Sequence, residues 1–138
     1  MSVDLYEAVV DRLAAVLAVP VADTDPTGLP VPCVYVWGPN STRDRGSETV
    51  GGCSAGRIEM RVTAVGRRAG EARVLAGLVR DELTPGLMPS TFTADGAHVT
   101  ITHFDSQTVA ASRNTVEEAT DSHPIYAVEL FDLLIQPL

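Results

Sequence analysis

The segment Gly52-Cys53-Ser54-Ala55-Gly56 has the spacing G-x-S-x-G, the pattern of a serine nucleophile held on a sharp elbow. That device needs a strand before the serine and a helix after it, so that the hydroxyl stands clear of the backbone. Here a polar stretch precedes Ser54 and an alternating, strand-like pattern follows it. A chain of 138 residues also leaves little room for the sheet that supports such an elbow. The segment reads as a glycine-rich loop. His98, His103 and His123 raise the possibility of a metal, but residues five apart on a strand lie on opposite faces, so His98 and His103 do not share an ion. His123 stands just before Pro124 with no ligand cluster around it. The expectation is one core-facing and two surface histidines. Glu117, Glu118 and Asp121 sit among Ser, Thr and Asn residues with no apolar surroundings to shift a carboxyl pKa, which fits a solvated loop. Arg43-Asp44-Arg45 has two readings, a solubilising loop tip or a pairing element for an acidic neighbour. Cys33 and Cys53 fit no CxxC spacing and are expected to be reduced. The chain has no lysine, hence no phosphate-binding loop of the glycine-lysine type. No catalytic residue, cofactor or metal is expected.

The length bounds a single domain, residues 1–138, with enough chain to bury one ordinary core. No run reaches the roughly 18 apolar residues of a membrane span. Asp4, Glu7 and Asp11 stand where a secretory signal would be basic, so the chain reads as made in the cytoplasm. The formal charge of −8 is uneven: −4 over residues 1–42, +4 over 43–80 and −8 over 81–138. Such an acidic surface repels phosphate and argues against stable nucleic-acid binding, while the middle third suits an acidic protein partner.

The elements that would position these residues follow from periodicity. Tyr6, Val9, Val10, Leu13, Val16 and Leu17 recur at spacings of three and four from Asp4 to Ala18, the signature of an amphipathic helix. Asp4 and Glu7 fit a capping box, and Pro20 ends the helix. Residues 22–30 read as a loop, and Val31 to Trp37 as a strand. A long polar loop spans 38–56. Ile58, Met60, Val62 and Ala64 then alternate with polar residues in a half-buried strand. Ala72, Leu75, Ala76, Val79 and Leu83 form one stripe of a second helix, which Pro85-Gly86 terminates. A third strand runs over 97–104, a second polar loop over 105–123, and a closing strand from Ile125 to about Ile135.

The order predicts an α+β fold, a two-layer sandwich in which two helices cover one face of a mostly antiparallel sheet of about four strands. If the strands flanking the second helix are parallel, that helix is a right-handed crossover. The closing strand is apolar on both faces: Ile125, Ala127, Phe131, Leu133 and Ile135 on one, Tyr126, Val128, Leu130 and Leu134 on the other. In a two-layer domain one of those faces should be polar, so a second subunit is expected to cover it, helix one being the other candidate.

The helix YEAVVDRLAAVLAVPV followed by PCVYVWGP, the stretch RIEMRVTAVGRRAGEARVLAGLVRDEL and the closing strand PIYAVELFDLL after a long polar loop resemble, in order and spacing, the tail terminator (tail completion) proteins of long-tailed bacteriophages. The resemblance covers most of the chain. It implies a non-enzymatic virion subunit, assembled in the host cytoplasm, that forms a homohexameric ring on the last ring of tail-tube protein. The other side of that ring would meet a neck or head-completion protein, with DNA passing through the channel without sequence-specific binding. The charged loop residues Arg43, Asp44, Arg45, Glu48, Arg113, Glu117 and Glu118, with Phe131 and Leu133 of the closing strand, are the expected contact residues. The apolar closing strand is where the chain departs from the family pattern. The alternatives are another neck or head-completion protein, or a small α+β ligand-binding or hydrolytic domain.

Overall fold

The computed structural model describes residues 5–23, 28–38, 56–94, 97–110 and 125–137. Along the chain these form α1 (Leu5–Val16), β1 (Val21–Asp23), β2 (Cys33–Trp37), β3 (Gly56–Gly66) and α2 (Ala69–Leu83). A short 3-10 turn (Pro85–Leu87), β4 (Ser90–Ala94), β5 (Ala97–Ala110) and β6 (Ile125–Pro137) complete it. The strands make one mixed, curled sheet in the order β1-β2-β3-β6-β5-β4. Only β1 and β2 pair in parallel; every other neighbour is antiparallel.

The α1 residues Leu5, Val9 and Leu13, one turn apart, are buried, as is the whole predicted α2 stripe of Ala72, Leu75, Ala76, Val79 and Leu83. Both rows join a single cluster with Val34, Val36, Ile58, Met60, Val62, Ala64, Phe131 and Leu133, so both helices lie on one face of the sheet. Val16, expected within the apolar stripe of the first helix, is exposed. The Arg12 guanidinium ties the two helices together, donating from Nε to Glu82 Oε2 at 3.1 Å and from an Nη to the Glu82 carbonyl at 2.8 Å. It thus neutralises a side chain and satisfies a carbonyl of the last α2 turn.

The turn from β3 into α2 depends on Gly66, because a Cβ there would stand 2.8 Å from the Ala72 amide nitrogen. Glu71 then accepts a hydrogen bond from the Arg67 backbone N–H at 2.9 Å, satisfying a donor just before the helix. At the other end Thr84 donates from its backbone N–H and its hydroxyl to the Arg80 carbonyl at 2.8 and 2.9 Å. Pro85 cannot continue the helix, and Gly86 takes φ 65°, in the left-handed region that glycine enters freely. Ser90 Oγ donates to the Leu83 carbonyl, fastening β4 to the helix end.

Three expectations are corrected. The sheet has six strands rather than about four: β1 is three residues long, too short for a periodic signal, while β4 carries the strand-forming types Thr91, Phe92 and Thr93 over only five residues. β5 runs to Ala110, well inside the expected polar loop, because pairing with β6 holds it in the sheet while its outer side stays polar. Phe131 and Leu133, expected at a partner interface, are both 0 % exposed within the core. The reason is position. β6 lies between β3 and β5, so the last strand of the chain is an inner strand of the sheet, and its odd-numbered face lies under the helices. β3 and β5 are both antiparallel to β6 and therefore run parallel to each other, with β6 inserted between them rather than as direct neighbours.

Candidate functional site

Glu129 interrupts the helix-covered face of β6 between Ala127 and Phe131, and it is 3 % exposed. A carboxylate buried there is costly unless donors surround it. Its Oε1 is 2.7 Å from His103 Nε2, accepts from Ser106 Oγ at 2.6 Å, and lies 3.3 Å from an Arg80 Nη. Ser106 Oγ also lies 3.1 Å from His103 Nε2 and 3.4 Å from the Arg80 Nη. Three elements, α2, β5 and β6, thus converge on one oxygen atom. His103 and Ser106 are three apart and would lie on opposite sides of a regular strand. A register shift between His103 and Asp105 turns both toward Glu129.

Serine, histidine and glutamate together suggest a hydrolase triad, in which the imidazole takes the serine proton on one nitrogen and holds the acid with the other. Here both contacts fall on Nε2. The serine proton is directed straight at the carboxylate, and its oxygen lies beside the guanidinium, which withdraws rather than adds nucleophilicity. The arrangement ties α2 to both strands and lacks the relay geometry of a nucleophilic site. Among the described residues no group of three or more His, Cys, Asp or Glu side chains is placed to hold a metal ion. No helix among them is long and apolar enough to cross a membrane.

The other face of the sheet carries no helix, and the strand register arranges it in rows. Cys33, Val65 and Tyr126 form the first, Tyr35, Thr63, Val128 and Gln107 the second, and Trp37, Arg61, Leu130 and Asp105 the third. Beyond them Glu59 faces Asp132, and Arg57 faces Leu134. Trp37 donates from Nε1 to Thr63 Oγ1 at 3.0 Å, and the Arg61 guanidinium carbon lies 4.8 Å from the Trp37 ring centre. That stack is a cation–π contact, and it lies over the row in which Leu130 is only 7 % exposed. Burial pushes the Tyr35 phenol upward, partly offset by its hydrogen bond with Thr63, and burial likewise raises the Cys33 thiol. Tyr126 and Val128 are half-buried, Leu134 is 36 % exposed, and Phe104 at the bulge is 49 % exposed. The face therefore runs from an aromatic, apolar end to a charged end, with the acidic pair Glu59 and Asp132 side by side.

Of the residues singled out from the sequence, Arg43, Asp44, Arg45, Glu48, Ser54, Arg113, Glu117, Glu118, Asp121 and His123 lie outside the described residues. His98 and His103 fall on opposite faces of β5, as the odd spacing predicts. His103 is the core-facing one. The polar cluster itself was not foreseen. Glu129 was visible as a break in an apolar strand, but its partners Arg80, His103 and Ser106 come from elements far apart in sequence. Compared with known proteins, the chain matches no family model, and no curated protein is significantly similar to it.

Proposed function

We propose that this protein is a structural subunit that works by assembling with copies of itself, and that it closes the tail tube of a long-tailed bacteriophage as a tail terminator. The observation that supports this reading is the helix-free face of the sheet, where Trp37, Tyr35, Tyr126 and Val128 stand half-buried and Leu134, toward the charged end, is exposed. Aromatic side chains that keep part of their surface in water, next to a charged margin, are the composition of a contact surface more than of a solvent-facing sheet. In this reading the two helices on one side leave the other side of the sheet as the surface for neighbouring subunits. In this reading the ring is a hexamer, one side seated on tail-tube protein and the other on a neck or head-completion protein. Its function is geometric: capping stops the tube from growing and offers a docking surface while leaving a channel. The acidic balance of the chain suits passage of DNA, because a lining that repels phosphate does not retain it. No covalent step is required, and the geometry at Ser106 favours none.

Sedimentation velocity of the purified chain, alone and with assembled tail tubes, tests the reading. A six-subunit species, or material that cosediments with tubes and decorates their ends, is the expected result. A monomer at every concentration that also leaves tubes undecorated removes it. Labelling by a serine-reactive fluorophosphonate, abolished by Ser54→Ala, would instead favour a hydrolase.

A further inference from the structure

Strand β5 is fourteen residues long, but its two halves are held differently. From Ala97 to Ile101 it lies between β6 and β4, pairing with both. Past Ile101 only β6 remains beside it among the described residues, and the register shift between His103 and Asp105 interrupts even that ladder. The side chains tell the same story. Val99 and Ile101 are fully buried in the core, whereas Phe104 through Thr108 are exposed. The polar contacts of Asp105 are local: it accepts from the Ser106 N–H at 2.9 Å and from Gln107 Nε2 at 3.2 Å, which shapes the bulge without tying it to anything else. What does reach across is the contact of Ser106 and His103 with buried Glu129, backed by Arg80.

We propose that the distal half of β5, Asp105 to Ala110, is a strap that lifts from the sheet as a unit, and that the Glu129 cluster is the pin that holds it down. A segment with one ladder among the described residues, exposed side chains from Asp105 to Thr108 and a single inward anchor opens locally at far lower free energy than the doubly paired half of the same strand. Glu129 makes the anchor strong because several donors converge on one desolvated oxygen, and Ser106 is the donor among them that the strap itself carries. Lifting the strap bares the backbone edge of β6 from Ile125 to Leu130, its partners in the register. The bulge is the hinge.

Amide hydrogen exchange on the free, full-length chain at neutral pH tests this without any partner, so its outcome is independent of the ring reading. Amides of 105–110 are expected to exchange at least about tenfold faster than those of 97–101. Glu129→Gln, which keeps the shape and removes the charge, should speed the distal amides by roughly a further order of magnitude and leave the proximal ones unchanged. Ser106→Ala, which removes the strap's own contact with Glu129, should produce a rise of at least similar size confined to the same segment. Equal protection along the whole of β5 overturns the proposal, as does a Glu129→Gln variant in which every strand accelerates together. If Glu129→Gln does not fold, Ser106→Ala decides, and an unchanged distal segment there counts against the pin.

Discussion

The two faces of the sheet are built from the same strands and obey different rules. Under the helices, β6 presents Ile125, Ala127, Phe131, Leu133 and Ile135, all buried, and the one carboxylate among them is surrounded by donors. On the opposite side the same strand offers Tyr126, Val128, Leu130, Asp132 and Leu134, which range from buried Leu130 to exposed Leu134. Covering by helices demands complete apolarity or complete satisfaction. An uncovered, curled face tolerates a range of exposure, because its polar groups reach water and its long side chains stack on one another, as Arg61 does on Trp37.

The sharpest way to break that contrast is to truncate one residue on each face. Phe131→Ala should cost about 3–5 kcal/mol in urea unfolding, because it leaves a cavity in the packed core. Leu134→Ala, on the same strand, should cost under about 1 kcal/mol. Equal losses would mean that the two faces are equally packed. Gly66→Ala should follow at roughly 1–3 kcal/mol, since the new Cβ meets the Ala72 backbone, which cannot swing aside as a side chain can. Trp37→Ala, removing the Thr63 hydrogen bond and the Arg61 stack, should cost about 1–2 kcal/mol in the same assay. A smaller stability effect but a larger functional one is expected from Leu134→Asp. Its melting temperature should stay within a few degrees of the parent while self-association in sedimentation is lost; unchanged association would remove the helix-free face from the proposed contact.

The weakest effect concerns pH. Cys33 and Tyr35 both have folded-state pKa values raised by burial. Such groups are neutral in the folded state and ionise more readily once unfolded, so their contribution is fully present below the unfolded pKa and is lost as pH rises through the folded one. The urea midpoint should therefore fall on going from neutral to alkaline pH, and Cys33→Ala should make that fall smaller. Cys33 should also resist alkylation under native conditions, since the thiol is buried and the thiolate is the reactive form.

Much of the fold was legible from periodicity alone. The stripe Ala72, Leu75, Ala76, Val79 and Leu83, the alternation Ile58, Met60, Val62 and Ala64, and the stop at Pro85-Gly86 all express interactions between residues a few positions apart, and each is found where the pattern puts it. The two-sided apolarity of β6 was equally plain, yet its meaning was not. One of its faces lies under the helices and the other belongs to the helix-free side, and only the assembled sheet shows that this strand threads between β3 and β5. The cluster at Glu129 lay beyond the sequence for a related reason. Arg80 is far from it along the chain, and His103 and Ser106 share a face only because a bulge cancels the alternation that their spacing implies. Local patterns carry local geometry; which distant side chains meet on one buried oxygen is settled by the order of strands and a single slipped register.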